Sequence, residues 1–356
     1  MCDFSQYGGK SQDWLAVEAT LPPPPVFESL EERQSVVNQG REEISAKAMS
    51  LLSSSIHMKD YHIETRDGAR IEARAYRPAA IDDTASLPIY IHLHGGGYLF
   101  GTLSSEDAIC TRIACGSMVT VVNVNYRHTP EATYPMAWDD VEDAFFWVHE
   151  HIEELLGKSN EVLIGGISAG AQLAAALTLK QHASPNALSR PKIAGQVLMI
   201  PCVVHTDCYD SQLQQLKNPA LSSYIENEHA PILPMTTVKF FTDLLKIGDA
   251  DAKDLRLNPG NASSELVKGL PPTVFGIAGL DPLRDEGLLY GKKLAEAGVP
   301  TNIHIFKGLP HGFRRFGEQI SESSRWDRVM EDGIRWALSN PGASGKFDVR
   351  ESGVTP

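Results

Sequence analysis

Ser168 lies in a stretch whose residue types suit nucleophilic catalysis. Residues 166–170 form the pattern G-x-S-x-G, which follows the apolar run 162–165 and precedes an alanine-rich helical pattern. A strand, a tight turn and a helix in that order would project the serine hydroxyl beyond the sheet edge, at the positive end of the helix. So short a pattern also arises by chance, and it is the flanking strand and helix that favour the catalytic interpretation.

A run of glycines after another apolar strand supplies candidate donors for an oxyanion. Residues 95–97 are all glycine and directly follow the predicted strand 88–93. Backbone N–H groups without side chains can closely approach a carbonyl oxygen, so we assign the oxyanion hole to Gly95, Gly96 and Ala169. The alternative, a phosphate-binding loop, would need Lys-Ser/Thr or G-x-G-x-x-G spacing, and neither is present.

The remaining parts of a triad follow two later strands. Asp281 comes just after the apolar run 273–278, and His311 lies in a Pro- and Gly-flanked loop after the last strand of the body. A serine nucleophile needs such a base to accept its proton and such an acid to orient the base. Asp281 before proline would also suit a helix N-cap, and both roles are compatible. Asp285 is the competing acid, and its place inside the predicted helix favours a structural role.

The elements that must position these residues alternate between strand and helix. A hairpin at 61–65 and 71–76 precedes apolar strands at 88–93, 119–125, 161–166, 193–200, 273–278 and 302–306. Helical patterns occupy about 30–56, 106–115, 136–156, 169–183, 284–298 and 322–338. Apolar strands alternating with helices predict an α/β fold with a mostly parallel, doubly wound sheet. Residues 205–260 interrupt that rhythm, and a connection of this length indicates a functional insertion.

Composition restricts the partners that we expect. The 356 residues carry a net charge of −13, which argues against nucleic acid or an anionic membrane as the main partner. No membrane span, secretory signal or zinc-type cysteine spacing is evident, so we expect a cytoplasmic protein without stable membrane association. His92 and His94 alternate on a strand without a further metal ligand, and we expect neither a metal nor an organic cofactor.

Six motifs in order make the chain resemble the hormone-sensitive-lipase branch of the α/β-hydrolases, which includes microbial carboxylesterases and arylacetamide-deacetylase-like enzymes. The motifs are His94-Gly95-Gly96-Gly97, Tyr126-Arg127-His128-Thr129-Pro130-Glu131, Tyr134-Pro135-Met136-Ala137, Gly166-Ile167-Ser168-Ala169-Gly170, Asp281-Pro282-Leu283-Arg284-Asp285-Glu286-Gly287 and Pro310-His311-Gly312-Phe313. The resemblance covers about residues 60–338. Matched motif by motif, it makes Ser168 the nucleophile, Asp281 the acid and His311 the base.

The resemblance also implies a helical cap over the site. It divides the chain into an N-terminal segment contributing to the cap (1–58), a hydrolase body (59–204 and 261–339), a cap insertion (205–260) and a flexible tail (340–356). We expect the cap to set substrate choice, with Tyr98, Phe240 and Phe241 as substrate-binding residues. Ile167 and Ala171 depart from the Asp and Gly that the family's bacterial members usually have at these positions, and we expect these departures to affect rate and pocket shape rather than mechanism.

The motifs predict a serine carboxylesterase that acts through an acyl-enzyme. Its expected substrate is a small ester with a short acyl group on a largely apolar or aromatic alcohol. The long N-terminal segment with its proline run at 22–25 points to fungal specialised metabolism. Three alternatives use the same triad: acyl transfer, lactone opening and formamide hydrolysis. A non-catalytic ligand receptor on this fold is disfavoured by the presence of His311, and the composition is compatible with a homodimer.

Overall fold

A twisted sheet of nine strands carries the candidate catalytic residues at one edge. The computed structural model describes residues 1–184, 186 and 190–351, and within them the strand order is β1-β2-β4-β3-β5-β6-β7-β8-β9. Pairing is antiparallel between β1 and β2 and between β2 and β4, and parallel elsewhere. The strands are β1 (Ile56–Glu64), β2 (Arg70–Pro78), β3 (Leu87–Leu93), β4 (Thr120–Asn125), β5 (Gly157–Ile167), β6 (Gly195–Met199), β7 (Thr273–Leu280), β8 (Thr301–Pro310) and β9 (Val349–Arg350).

Burial along the strands explains why they lie where they do. Every residue of the central strands β6 and β7 is buried, as a parallel sheet covered on both faces requires. The edge strand β1 is instead mostly exposed, and its antiparallel pairing with β2 matches the predicted hairpin. The mostly parallel, doubly wound sheet that the sequence predicts is therefore confirmed.

Helices cover both faces of this sheet. They are α1 (Gln12–Glu18), α2 (Leu30–Leu52), α3 (Leu103–Ser117), α4 (Met136–Glu150), α5 (Ala169–Ala183), α6 (Asp210–Leu213), α7 (Ser223–Glu226), α8 (Met235–Leu244), α9 (Ser264–Val267), α10 (Arg284–Glu296) and α11 (Glu322–Leu338). In the described part of the chain, no helix combines the length and the apolar character that crossing a membrane would need. The region 205–260, which interrupts the alternation of strands and helices in the sequence, contains no strand and holds α6, α7 and α8.

The two ends of the chain pack onto the body. Trp14 on α1 is fully buried and contacts the ring of Phe316 edge-on, at 5.5 Å between centroids. At the other end, β9 pairs with Ile303 and His304 of β8, and Phe347 lies edge-on against Phe4. The tail predicted to be flexible from residue 340 is thus partly a strand, because one aromatic residue and two backbone pairings fix it against the sheet. Residues 352–356 of that tail lie outside the described residues.

Candidate active site

The turn between β5 and α5 holds Ser168 in a conformation that few residues adopt. Its φ is 56° and its ψ is −117°, and its N–H donates to the carbonyl of Met199 at 2.8 Å. The two flanking glycines permit this turn. A Cβ on Gly166 or Gly170 would lie 2.4 or 2.0 Å from the carbonyl oxygen of Leu93, so side chains there would separate the turn from β3.

The three residues predicted to form a triad lie within hydrogen-bond distance of one another. Ser168 Oγ is 2.9 Å from His311 Nε2, and His311 Nδ1 is 2.7 Å from Asp281 Oδ2. Asp281 is 1 % exposed and His311 is 9 % exposed. In this arrangement the imidazole can accept the serine proton while the buried carboxylate fixes its tautomer and orientation.

Sheet register explains why the acid and the base meet. Leu280 on β7 pairs with Pro310 on β8, and Asp281 and His311 are the residues that immediately follow. The acid is held in turn by its surroundings, since Asp281 Oδ1 accepts from the N–H of Leu283 at 3.0 Å. The amide of Asn227, in the insertion, donates to the Asp281 carbonyl at 3.0 Å. Sequence reasoning missed Asn227, because no motif connects it to the acid.

Asp285 takes part in a separate, structural network. Its carboxylate accepts from Arg284 Nε at 2.8 Å and from the N–H of Ser223 at 2.8 Å. Arg284 is fully buried and also donates to Glu226 on α7 at 2.9 Å. These contacts attach the insertion to the start of α10 and do not involve His311.

The predicted oxyanion donors lie on both sides of the nucleophile. Gly95 contacts the nucleophile turn so closely that a Cβ there would be 2.8 Å from the carbonyl oxygen of Ile167. Ala169 is the first residue of α5, where an N–H has no partner within the helix. Within the described ranges, none of the backbone N–H groups of Gly95, Gly96 and Ala169 donates a hydrogen bond. They are therefore available to a negatively charged oxygen.

His92 on β3 and His94, which directly follows that strand, are engaged in contacts within the protein. His92 Nε2 lies 3.2 Å from Glu106 Oε2, and the ring of His94 stacks on Tyr126 at 4.4 Å. Burial lowers the pKa of His94 well below its usual value, and the nearby His128 contributes to that shift. The described residues contain no group of three or more potential metal ligands.

The three predicted substrate-binding residues differ in their surroundings. Tyr98 is 6 % exposed, stacks on Trp138 at 5.2 Å, and its hydroxyl lies 3.7 Å from Cys202 Sγ. Phe241 on α8 lies over the glycine loop, where a Cβ on Gly97 would be 2.4 Å from its ring. Phe241 thus lies against Gly97, which directly follows two of the predicted oxyanion donors, and Tyr98 is buried in the hydrophobic core.

The two segments predicted to form the cap meet above this loop. Phe241 lies edge-on to Phe100 at 5.9 Å, and Arg33 on α2 lies 4.6 Å from the ring centroid of Phe240. The same guanidinium is 5.9 Å from the ring of Phe100. Helices α2 and α8 therefore both contact residues that directly follow the glycine loop.

Sequence reasoning also missed an ion pair behind the oxyanion loop. Arg41 Nη2 donates to Glu106 Oε1 at 2.8 Å, and Glu106 is 1 % exposed. Burial alone would raise the pKa of Glu106, but the hydrogen bond from His92 and the positive charge of Arg41 outweigh it and hold that pKa below its usual range. No sequence signal identifies Arg41, because it is one of several charged residues on an amphipathic helix.

Comparison with known proteins agrees with the fold. A family model described as alpha/beta hydrolase fold matches residues 90–315. Esterase LipI of Mycobacterium tuberculosis is 34% identical over 245 residues, which cover 68% of this chain and 71% of that protein. Ethyl acetate hydrolase of Pseudomonas putida is 32% identical over 268 residues, covering 75% and 78% respectively. The solved structure of vibralactone cyclase superposes with a TM-score of 0.82 at 26% identity, covering 95% of this chain and 97% of that one.

The chain therefore belongs to the α/β-hydrolase family, in its hormone-sensitive-lipase-like branch. Within that family its esterase relatives and its fold define the class of enzyme. It is a carboxylic ester hydrolase.

Proposed function

We propose that this enzyme hydrolyses short-acyl esters through an acyl-enzyme on Ser168. The observation that carries the proposal is the continuous chain of hydrogen bonds from Ser168 through His311 to the buried Asp281, at 2.9 and 2.7 Å. A solvent-exposed serine without a base would be a weak nucleophile at neutral pH, and this chain of contacts supplies the base.

The first half of the reaction forms the acyl-enzyme. Ser168 Oγ attacks the ester carbonyl carbon as its proton passes to His311 Nε2, and the carbonyl oxygen becomes an oxyanion that accepts from the N–H groups of Gly95, Gly96 and Ala169. The C–O bond to the alcohol then breaks, and His311 returns the proton to the departing alkoxide. Asp281 remains ionised and stabilises the imidazolium between these steps.

The second half releases the acid. Water loses a proton to His311 and attacks the acyl carbon, the oxyanion forms again in the same place, and the bond to Ser168 Oγ breaks as the serine regains its proton. Only protein groups and water take part, so the proposal includes neither a metal nor an organic cofactor.

The preference for a short acyl group is supported by the ring of Phe241 directly above Gly97, which restricts the space beside the oxyanion donors. The similarity to an ethyl acetate hydrolase supports the same size of acyl group. We extend the proposal to a largely apolar or aromatic alcohol, because Phe100, Phe240 and Phe241 face one another at this end of the cap. We also propose that the enzyme is cytoplasmic and acts in fungal specialised metabolism.

A second candidate reaction is intramolecular acyl transfer. Its support is the superposition with a protein named vibralactone cyclase over nearly the whole chain. In that reaction a hydroxyl of the bound acyl group, rather than water, would lose its proton to His311 and attack the acyl carbon. The bond to Ser168 Oγ would then break as the serine regains the proton, and the product would be a lactone. Product analysis by mass spectrometry with a hydroxyacyl ester separates the two, since the lactone is 18 mass units lighter than the hydroxy acid.

The experiment combines labelling with a series of esters. A fluorophosphonate probe should label the wild-type enzyme at Ser168, and Ser168→Ala should lower kcat by roughly 10⁴- to 10⁶-fold without unfolding the protein. Ser324→Ala changes an exposed serine and serves as the matched control. Rates on nitrophenyl esters from acetyl to palmitoyl should fall steeply beyond about eight carbons. Labelling at another residue would overturn the assignment, and fast hydrolysis of palmitoyl esters would overturn the size preference.

A further inference from the structure

Arg41 on α2 contacts the peptide group that supplies one of the oxyanion donors. Its Nη1 donates to the carbonyl oxygen of Gly95 at 3.0 Å, and His94 Nδ1 lies 3.2 Å from the same oxygen. That carbonyl belongs to the same peptide unit as the N–H of Gly96. Because the peptide is planar and trans, the two groups point in opposite directions, and a contact that fixes the carbonyl also fixes the N–H.

The guanidinium lies directly against this peptide. A Cβ on Gly96 would be 2.9 Å from Arg41 Nη1, and the φ of Gly96 is 138°, which only glycine adopts readily. The peptide is therefore in a conformation that its neighbours must maintain. A charged donor on the carbonyl also polarises the amide, so that its N–H becomes a stronger donor.

Arg41 is itself held in position from the opposite side. Its Nη2 donates to Glu106 Oε1, while Glu106 Oε2 lies 3.2 Å from His92 Nε2. Glu106 and His92 are both buried. The ion pair links α2 to α3, Glu106 in turn contacts β3, and these contacts direct the guanidinium toward the loop.

Other residues of α2 bind the same loop without contacting this peptide. Gln34 Nε2 donates to the carbonyl of Leu99 at 2.8 Å, and Asn38 Oδ1 accepts from the N–H of Gly101 at 2.9 Å. They attach the helix to the loop. Substituting Gln34 or Asn38 therefore loosens the attachment of α2 but keeps the contact between Arg41 and Gly95, so these variants distinguish the two effects.

We infer that Arg41 is a positioning residue for catalysis, which orients and polarises the Gly95–Gly96 peptide so that the Gly96 N–H stabilises the oxyanion. This inference rests on the proposed function, since it assumes that an oxyanion forms at this loop. It assigns part of the catalytic power to a residue of the N-terminal segment, outside every motif of the hydrolase body.

The test uses Arg41→Met in the full-length protein. Removing one oxyanion donor costs about 10²- to 10³-fold in kcat, and loss of its orientation should cost less, about 10- to 100-fold. KM should stay within about twofold of wild type. Affinity for a trifluoromethyl ketone, which forms a tetrahedral adduct with the serine, should fall by the same factor as kcat. A purely structural role would not link those two losses.

Two further variants address folding, because Arg41→Met leaves the buried Glu106 with less compensation. In Arg41→Met combined with Glu106→Gln, the buried charge is gone, so stability should recover while kcat stays low. Arg41→Lys keeps a donor and a charge but lacks the forked geometry, and its kcat should fall about 3- to 10-fold. Gln34→Ala is the matched control and should keep kcat within about threefold.

The outcomes distinguish failure of the inferred role of Arg41 from failure of the proposed esterase mechanism. If wild type is labelled at Ser168 but the Arg41 variants retain wild-type kcat and ketone affinity, the inference is wrong and the proposed function stands. An equal loss in Gln34→Ala would also overturn it, since the effect would then belong to helix attachment. If the fluorophosphonate does not label Ser168 in wild type, the proposed function itself fails.

Discussion

Replacing Gly95 by alanine tests how precisely the oxyanion loop must lie against the nucleophile turn. The φ of Gly95 is not positive, so alanine brings no backbone strain of its own. Its Cβ would, however, lie 2.8 Å from the carbonyl oxygen of Ile167 and 3.3 Å from Ile167 Cγ2. The closer contact is to backbone, which a change of rotamer cannot relieve.

The size of the effect follows from that distance. Ordinary contact begins at 3.4 Å, so the loop and the turn must separate by about 0.6 Å. A misplacement of about 1 Å in an active site can cost about 10²-fold in rate, and on that scale the expected loss in kcat is about 10- to 20-fold. Adding Ile167→Ala removes only the Cγ2 contact and should not restore the rate.

The assay is steady-state hydrolysis of a nitrophenyl acetate ester, with thermal unfolding measured in parallel. Gly40→Ala is the matched control, because a Cβ on Gly40 meets nothing within 4 Å and the residue lies inside α2. It should leave kcat unchanged and raise the free energy of unfolding by about 0.5–1 kcal/mol. A kcat for Gly95→Ala within twofold of wild type would refute the close packing of Gly95 against the Ile167 carbonyl.

Three further predictions concern the cap, the structural ion pairs and metal dependence. Phe241→Ala should raise kcat/KM for octanoyl relative to acetyl esters by about 10- to 100-fold, since the vacated ring volume can bury several methylenes at about 0.8 kcal/mol each. Lys239→Ala on the same helix is the control. An unchanged ratio of the two kcat/KM values would show that acyl chains do not approach α8. Arg284→Met should lower the free energy of unfolding by about 3–5 kcal/mol in urea denaturation, because Asp285 stays buried without its cation. Adding Asp285→Asn should recover part of that loss. A loss below about 1 kcal/mol in Arg284→Met would contradict the prediction. Dialysis against EDTA should leave esterase activity intact, and a loss restored by zinc would reopen the interpretation of His92 and His94 as ligands.

The fold and the meeting of Ser168, Asp281 and His311 could be anticipated because the signals are local. Each of these three residues lies at or shortly after the end of an apolar run in the sequence. The carboxyl ends of parallel strands lie at one edge of a sheet. The order of the motifs then places a nucleophile, an acid and a base at that edge. No knowledge of side-chain packing was needed for this step.

Contacts between distant segments could not be anticipated in the same way. Arg41 and Gly95 are 54 positions apart, and an amphipathic pattern shows which helix face is apolar but not what a polar residue on its border will touch. Trp14 illustrates the same limit. No sequence pattern connects it to Phe316, against which it packs. Likewise, β9 has only two residues, too few for any alternating pattern to identify it.

The pairing of Leu280 with Pro310 has a consequence for engineering this enzyme. Since main-chain hydrogen bonds between β7 and β8 bring Asp281 and His311 together, their separation does not depend on which apolar side chains fill the two strands. Variation in a mutant library can then be concentrated on α8, which belongs to no strand of the sheet. Under the proposed role of the cap in substrate choice, substrate range and the acid–base pair are therefore separate targets, open to selection one at a time.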